Sequence, residues 1–289
     1  MLTYKEYNLK LARLRNTRKL TQTMKMVSAN KFRKAQAAQQ QADRYGEEYR
    51  KILVRLLGKA NVAEHPLLRV RPEIRSTWVV VCTSDRGLCG GFNNGLCRFL
   101  LNWLETEIPR RQEPPRLSFW GRRGAVYFQD RFPGSKVYPE SGPRPMFADA
   151  LQIGHDLQSA FLEGVADDVY VAYNEFETPL RQVPTVKRLL PMDPVGPNGG
   201  TTGSDLIFEP AAEELLWPML SRFVNLRIQA AMLNTAAGEH AARMRAMDSA
   251  TRNADQVIEE TQVLRNRARQ STITRELIEI VAGAEALKS

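Results

Sequence analysis

Residues 78–93 read WVVVCTSDRGLCGGFN: an apolar run, Trp78–Cys82, opens into a glycine-rich loop, and a helical stretch, Asn94–Glu107, follows. A β-branched run, a turn and a helix in that order are the repeating unit of an α/β fold. The same arrangement begins many phosphate sites, so the loop raises the question of a nucleotide. Its spacing argues against one. No Lys-Ser/Thr pair follows the second glycine, and Gly87, Gly90 and Gly91 do not fit G-x-G-x-x-G. Gly90 and Gly91 are read as letting the backbone turn into the helix, and Asp85 beside Arg86 as a local pair.

Outward from this loop the α/β texture continues from Pro66 to about Pro197. A second β-branched run, VYVAY (Val169–Tyr173), alternates with helical patterns such as Phe147–Phe161 and with Pro/Gly turns. Gly121 and Gly124 in FWGRRG close a short strand, and Arg122 and Arg123 read as solvated charge. The stretch Asp193–Ser204, DPVGPNGGTTGS, reads as a linker. Both flanks are different. From Leu2 to about Gly58 there is no proline, only Gly46 interrupts, and good helix formers dominate, which predicts one long helix. After Pro210 and Pro218 the chain is again free of proline to its end. The expected organisation is a first helix over 1–59, an α/β domain with a closing linker over 60–204, and a second helix over 205–289.

With Phe223 at position a, a heptad places Phe223, Ala230, Ala237, Met244, Thr251 and Ile258 at a. Leu226, Leu233, His240, Met247, Ala254 and Thr261 then fall at d. Such a seam predicts a coiled coil, with the first helix as antiparallel partner through Tyr7, Leu11, Leu14, Leu20, Met24 and Val27. At 1.5 Å per residue the helices span roughly 85 and 120 Å, leaving an overhang on the order of 30 Å. If both leave the α/β domain together, the C-terminal end is the one that overhangs. It carries Ile273, Leu277, Ile280, Ala284 and Leu287 at helical spacing, an apolar stripe that needs a socket from another protein.

Composition narrows the partners. The 289 residues carry a formal charge of +9 with a pI near 9.6, pointing to an acidic partner. The charge is concentrated: residues 1–59 hold 15 Lys and Arg against Glu6, Asp43, Glu47 and Glu48. It recurs around the first helix (Lys10, Arg13, Arg18, Lys25, Lys31, Lys34) instead of along one face, and Phe32 is the lone aromatic between Tyr7 and Tyr45. That pattern suits a rod surrounded by protein better than a nucleic-acid reader. Arg265, Arg267 and Arg269 form a second basic cluster, and Arg269 with Gln270 has the planar donors to bind carboxylates of a surrounding wall. Three cysteines without C-x-x-C support neither a disulfide framework nor zinc and fit a reducing compartment. His65, His155 and His240 are scattered outside any metal-binding frame. The basic N-terminus continues into the helix pattern past Lys31 and reads as mature protein, not a transit peptide. No residue is assigned as catalytic, cofactor-binding or metal-ligating. Two other classes stay open on the residues alone, an α/β enzyme with helical extensions and a basic coiled-coil nucleic-acid binder.

Three separated motifs carry a family resemblance. The run NTRKLTQTMKMVSANKFRKAQ (Asn16–Gln36), the loop TSDRGLCGGFN, and the C-terminal EHAARMRAMDSATRNA with ARQSTITRELIEIVAGAEAL resemble the gamma subunit of F-type ATP synthase, in order and over nearly the whole chain. The resemblance implies a rotor shaft: terminal helices wound into an antiparallel coiled coil, with a Rossmann-like α/β foot between them. It implies one copy inside a ring of three alpha and three beta subunits, with the foot on the epsilon subunit and the c-subunit ring. It also implies peripheral attachment at the cytoplasmic face of a bacterial inner membrane, with neither nucleotide nor nucleic acid bound. By the family pattern, Met24 and Lys25 meet beta; Arg269, Gln270 and Thr274 contact loops at the top of the ring; and Ile273, Leu277 and Ile280 lie in its apolar sleeve. Ser84, Asp85, Arg86, Gly87, Leu88, Cys89, Gly90 and Gly91 form the foot's signature loop. Arg265, where many members carry an aromatic, and the basic start MLTYKEYNLKLARLRNTRKL depart from that pattern and suggest a divergent branch.

Overall fold

The structure, a computed structural model, describes residues 3–59, 65–108, 113–138, 147–193 and 208–286. The proposed linker therefore lies outside the described residues beyond Asp193, as does Leu287. The elements are α1 (Tyr4–Leu57), β1 (Thr77–Cys82), α2 (Phe92–Glu107), β2 (Arg116–Trp120), α3 (Arg122–Phe128), β3 (Lys136–Tyr138), α4 (Phe147–Leu162), β4 (Asp168–Phe176), β5 (Gln182–Leu190) and α5 (Ala212–Ala286). No helix among the described residues is long and apolar enough to cross a membrane. The chain divides into two compact units, residues 29–242 and residues 1–28 with 243–289.

In the first unit a five-stranded sheet has the order β3-β2-β1-β4-β5, with parallel pairing except between β4 and β5. The apolar run that opened the sequence becomes its central strand, completely buried from Val79 to Cys82. Both faces are covered, as parallel strands require. Val79 and Val81 pack with Leu96, Leu100 and Leu104 of α2 and with Phe128 of α3. Val80 and Cys82 face the opposite core, with Ile153 and Leu157 of α4, Leu53 and Leu56 of α1, and Leu220 and Val224 of α5. Here α5 is buried all round from Ala231 to Glu239. Small residues permit that closeness: a Cβ at Gly238 would meet the Phe92 ring at 2.8 Å. The three cysteines are free and buried. Burial alone pushes the Cys82 and Cys97 thiols up to about 12, so both are protonated and unreactive at neutral pH.

In the second unit α1 and α5 run antiparallel. Met247, Ala254, Ile258 and Thr261 are buried as the heptad predicts. On α1 the seam differs from the expectation. Leu20 and Val27 are 61% and 51% exposed, whereas Thr21 and Ser28 are 8% and 3% exposed. The seam steps Tyr7, Leu14, Thr21, Ser28 and so keeps a strict heptad, one residue away from the leucine and valine that hydropathy favours. Its polar members are satisfied inside it. The Thr21 and Thr251 hydroxyls share a 2.8 Å hydrogen bond. Lys25 pairs with Asp248 at 2.5 Å and Arg18 with Asp255.

Candidate functional site

The sequence singles out a loop in one unit and a helix end in the other. The loop begins where β1 ends. The Ser84 hydroxyl donates to the Arg86 carbonyl at 2.8 Å, and the Ser84 N–H donates to Asn93 Oδ1 at 3.1 Å. Asn93 Nδ2 in turn donates to Ser84 Oγ at 2.8 Å and to Cys89 Sγ at 3.2 Å. Asp85 accepts the Arg122 N–H at 2.9 Å, so it ties the loop to α3 instead of serving only as a sequence neighbour of Arg86. Leu88 and Gly90 take left-handed conformations, φ 65° and 59°, and a side chain at Gly87 would collide with the Arg123 guanidinium. Gly91 caps α2, which starts two residues earlier than its sequence pattern indicates. The loop's polar side chains thus hold one another in place while Leu88 projects outward, 62% exposed.

The helix end is reached by counting along the coil. Fourteen residues on from the Arg18–Asp255 pair, Tyr4 at the start of α1 comes level with Arg269. From Arg269 to Gly283 every side chain is exposed. Arg269 and Gln270 sit at the start of this unpaired stretch, and the Gln270 carbonyl accepts the Thr274 hydroxyl at 2.9 Å. Ile273, Leu277 and Ile280 are 44%, 57% and 67% exposed. Ala284, the stripe's next member, lies where side chains are not described. Ile278 and Val281, which the stripe left out, are as exposed as its members. At about 100° per residue they widen the apolar face to nearly half the circumference, leaving Arg275, Glu276 and Glu279 on the other half. Their i, i+3 relation was the signal available in the sequence. Met24 and Lys25 are half-buried in the coil, and the Lys25 ammonium is already engaged by Asp248. Among the described residues no three His, Cys, Asp or Glu side chains cluster to hold a metal.

A family model described as ATP synthase matches residues 3–287. The chain belongs to the ATP synthase gamma family. Its relatives include the ATP synthase gamma chain of Anaeromyxobacter sp. strain K, 42% identical across 96% of this chain and 97% of that one. The gamma chain of Desulfosudis oleivorans is 37% identical, with each chain covered in full. Among solved structures, a chain of the Euglena gracilis mitochondrial ATP synthase OSCP/F1/c-ring assembly aligns with TM-score 0.67 over 98% of this chain and 94% of that one, at 16% identity. A chain of the Tetrahymena thermophila mitochondrial central stalk and c-ring aligns with TM-score 0.60 over 80% of this chain and 99% of that one, at 23% identity. At such identities the structures speak to the fold: two terminal helices around a Rossmann-like sheet.

The polar seam of this gamma-family coil gives a testable coupling. Thr21→Val removes one partner of a half-buried hydroxyl pair and should cost about 1 kcal/mol, whereas Thr21→Val with Thr251→Val should recover most of it. Amide hydrogen exchange over residues 10–28 measures both. Strict additivity would show the pair to be uncoupled.

Proposed function

We propose that this chain is the central shaft of an F-type ATP synthase and carries no catalytic group of its own. ATP is made or hydrolysed elsewhere in the complex, on the beta subunits. The shaft presents a different face to each of three identical sites, so its rotation biases each site in turn among binding states. One observation carries the reading: α5 continues beyond the start of α1 as a lone helix with a broad, exposed apolar face. Water is a poor environment for such a face, and an apolar sleeve lined by the alpha and beta subunits would cover it. Ile273, Leu277 and Ile280, joined by Ile278 and Val281, would enter that sleeve. Arg269, Gln270 and Thr274 would contact the loops at its rim, and Met24 and Lys25 would face beta. The foot, with its signature loop Ser84–Gly91, would rest against the epsilon subunit and the c-subunit ring. The bacterial relatives favour the cytoplasmic face of the inner membrane as the place of assembly.

Co-expression with the cognate alpha and beta subunits tests this directly, comparing the full chain with one ending before Ile273. The expected result is one copy per three-plus-three ring for the full chain. The truncated chain should assemble more weakly or show reduced coupled turnover. Failure of the full chain to join a folded cognate ring would overturn the shaft reading. Nucleotide affinity of the isolated chain, lost in Gly90→Ala, would favour an enzyme instead, and steeply salt-dependent DNA retention a nucleic-acid binder.

A further inference from the structure

Within the unit 29–242 a cleft of about 480 Å³ opens between α1, α5 and the β4–β5 face of the sheet. That volume suits a small molecule. Its walls are aromatic and apolar where Tyr173, Phe176, Phe223 and Leu226 line it, and its charges are mostly matched. Glu47 pairs with Arg50 at 2.9 Å and Glu175 with Lys187 at 2.7 Å. The Arg227 guanidinium lies over the Phe223 ring, 6.0 Å from its centre. Asp43 is different. It stands exposed at the rim of the cleft, its carboxylate accepts a hydrogen bond from the neutral Gln39 side chain on its own helix, and among the described residues no cation is in ion-pair contact with it. Crowding by surrounding protein, with Glu175 nearby, shifts its pKa upward despite the opposing influence of Lys187, the behaviour of a carboxylate that lacks a counterion.

Gly46, one helical turn along α1 from Asp43, borders the same cleft. It stands in the interior of a 54-residue helix, where glycine is the poorest residue short of proline. A Cβ there would meet nothing within 4 Å, so no packed neighbour demands the glycine. Its effect is to keep the cleft open beside an unmatched carboxylate and aromatic walls.

We infer that this cleft binds a small organic cation, a protonated amine on an apolar or aromatic body, with the ammonium on Asp43 and the body against Tyr173 and Phe223. A charge-assisted hydrogen bond and burial of its apolar body are the two attractions such a ligand would gain. The inference is independent of the shaft role, because it concerns only the cleft within the unit 29–242.

The test uses the full-length chain assembled with its partner subunits, with benzylamine as probe and saturation-transfer NMR as readout. Saturable benzylamine binding is expected, at least tenfold weaker in Asp43→Asn and abolished in Gly46→Leu, whose side chain fills the cleft. The leucine should also raise the melting temperature of the chain, because it is a better helix former, so lost binding cannot be mistaken for lost folding. Benzoate, of the same size and opposite charge, should bind more weakly than benzylamine. Tighter binding of benzoate, benzylamine binding unchanged in Asp43→Asn, or no saturable binding at all would each overturn the assignment.

Discussion

Replacing Gly121 with alanine is expected to destabilise the chain by about 3 kcal/mol or more, on two grounds that add. Gly121 has φ 93° and ψ 140°, a region that costs a residue with a side chain roughly 1–3 kcal/mol. A Cβ there would also be driven into the Thr83 carbonyl, and overpacking of that kind costs about 1–3 kcal/mol. The surroundings have little room to yield. The Thr83 N–H donates to the Trp120 carbonyl at 2.8 Å, the Thr83 hydroxyl donates to the Gly121 carbonyl at 3.1 Å, and the Gly124 N–H donates to that hydroxyl at 2.9 Å. These bonds lock the ends of β1 and β2 together and so set where the loop Ser84–Gly91 starts. Urea unfolding followed by tryptophan fluorescence would report the loss through Trp120 beside the site. A change below about 1 kcal/mol would mean that the turn relaxes more easily than its bonding indicates.

Asp167→Asn should be nearly as damaging, by about 2–4 kcal/mol, with a signature in pH. The carboxylate is buried in the turn before β4. It accepts the Arg75 N–H at 2.8 Å, the Ser76 N–H at 2.9 Å and the Ser76 hydroxyl at 3.3 Å, and pairs with Arg71. Burial pushes its pKa upward, but the two N–H groups and the arginine outweigh burial and hold it below the usual carboxylate value. A depressed folded-state pKa makes the contribution complete above the unfolded value, about 3.9, and removes it as pH falls through the folded one. The wild-type chain should therefore lose stability below about pH 4 more steeply than the asparagine variant. Parallel acid-unfolding curves would contradict this account.

The elements legible in the sequence are those where one physical demand dominates. Trp78–Cys82 must be apolar on every side because both sheet faces are covered, and nothing but a buried strand fits so short a run. The α5 heptad is visible because its seam from Met247 to Ile258 is filled mainly by apolar or small residues. Legibility fails where demands mix. Strand β5 lies at the sheet edge, so it tolerates Pro184 and the adjacent charges Lys187 and Arg188, and its pattern resembles a loop. Strand β3 is three residues long with Lys136 and Val137 exposed. The α1 seam was misplaced because hydropathy looks for leucine, while the coil fills two of its seam sites with Thr21 and Ser28. The loop was legible as a turn from its glycine spacing, but its Asn93 bracing was not, since an asparagine just ahead of the helical stretch that opens at Asn94 looks like surface.

The burial of the cysteines has a practical corollary for single-molecule work. Cys82 and Cys97 lie in cores on opposite faces of the sheet with thiols held protonated, and Cys89 is closed in beneath its loop. A maleimide dye directed to a new cysteine on the exposed end of α5, at Thr274 for example, would find one reactive thiol on the free, folded chain before it joins a ring. The native cysteines can stay where they are, and a probe can be mounted on the isolated helix end without first rebuilding the foot around three substitutions.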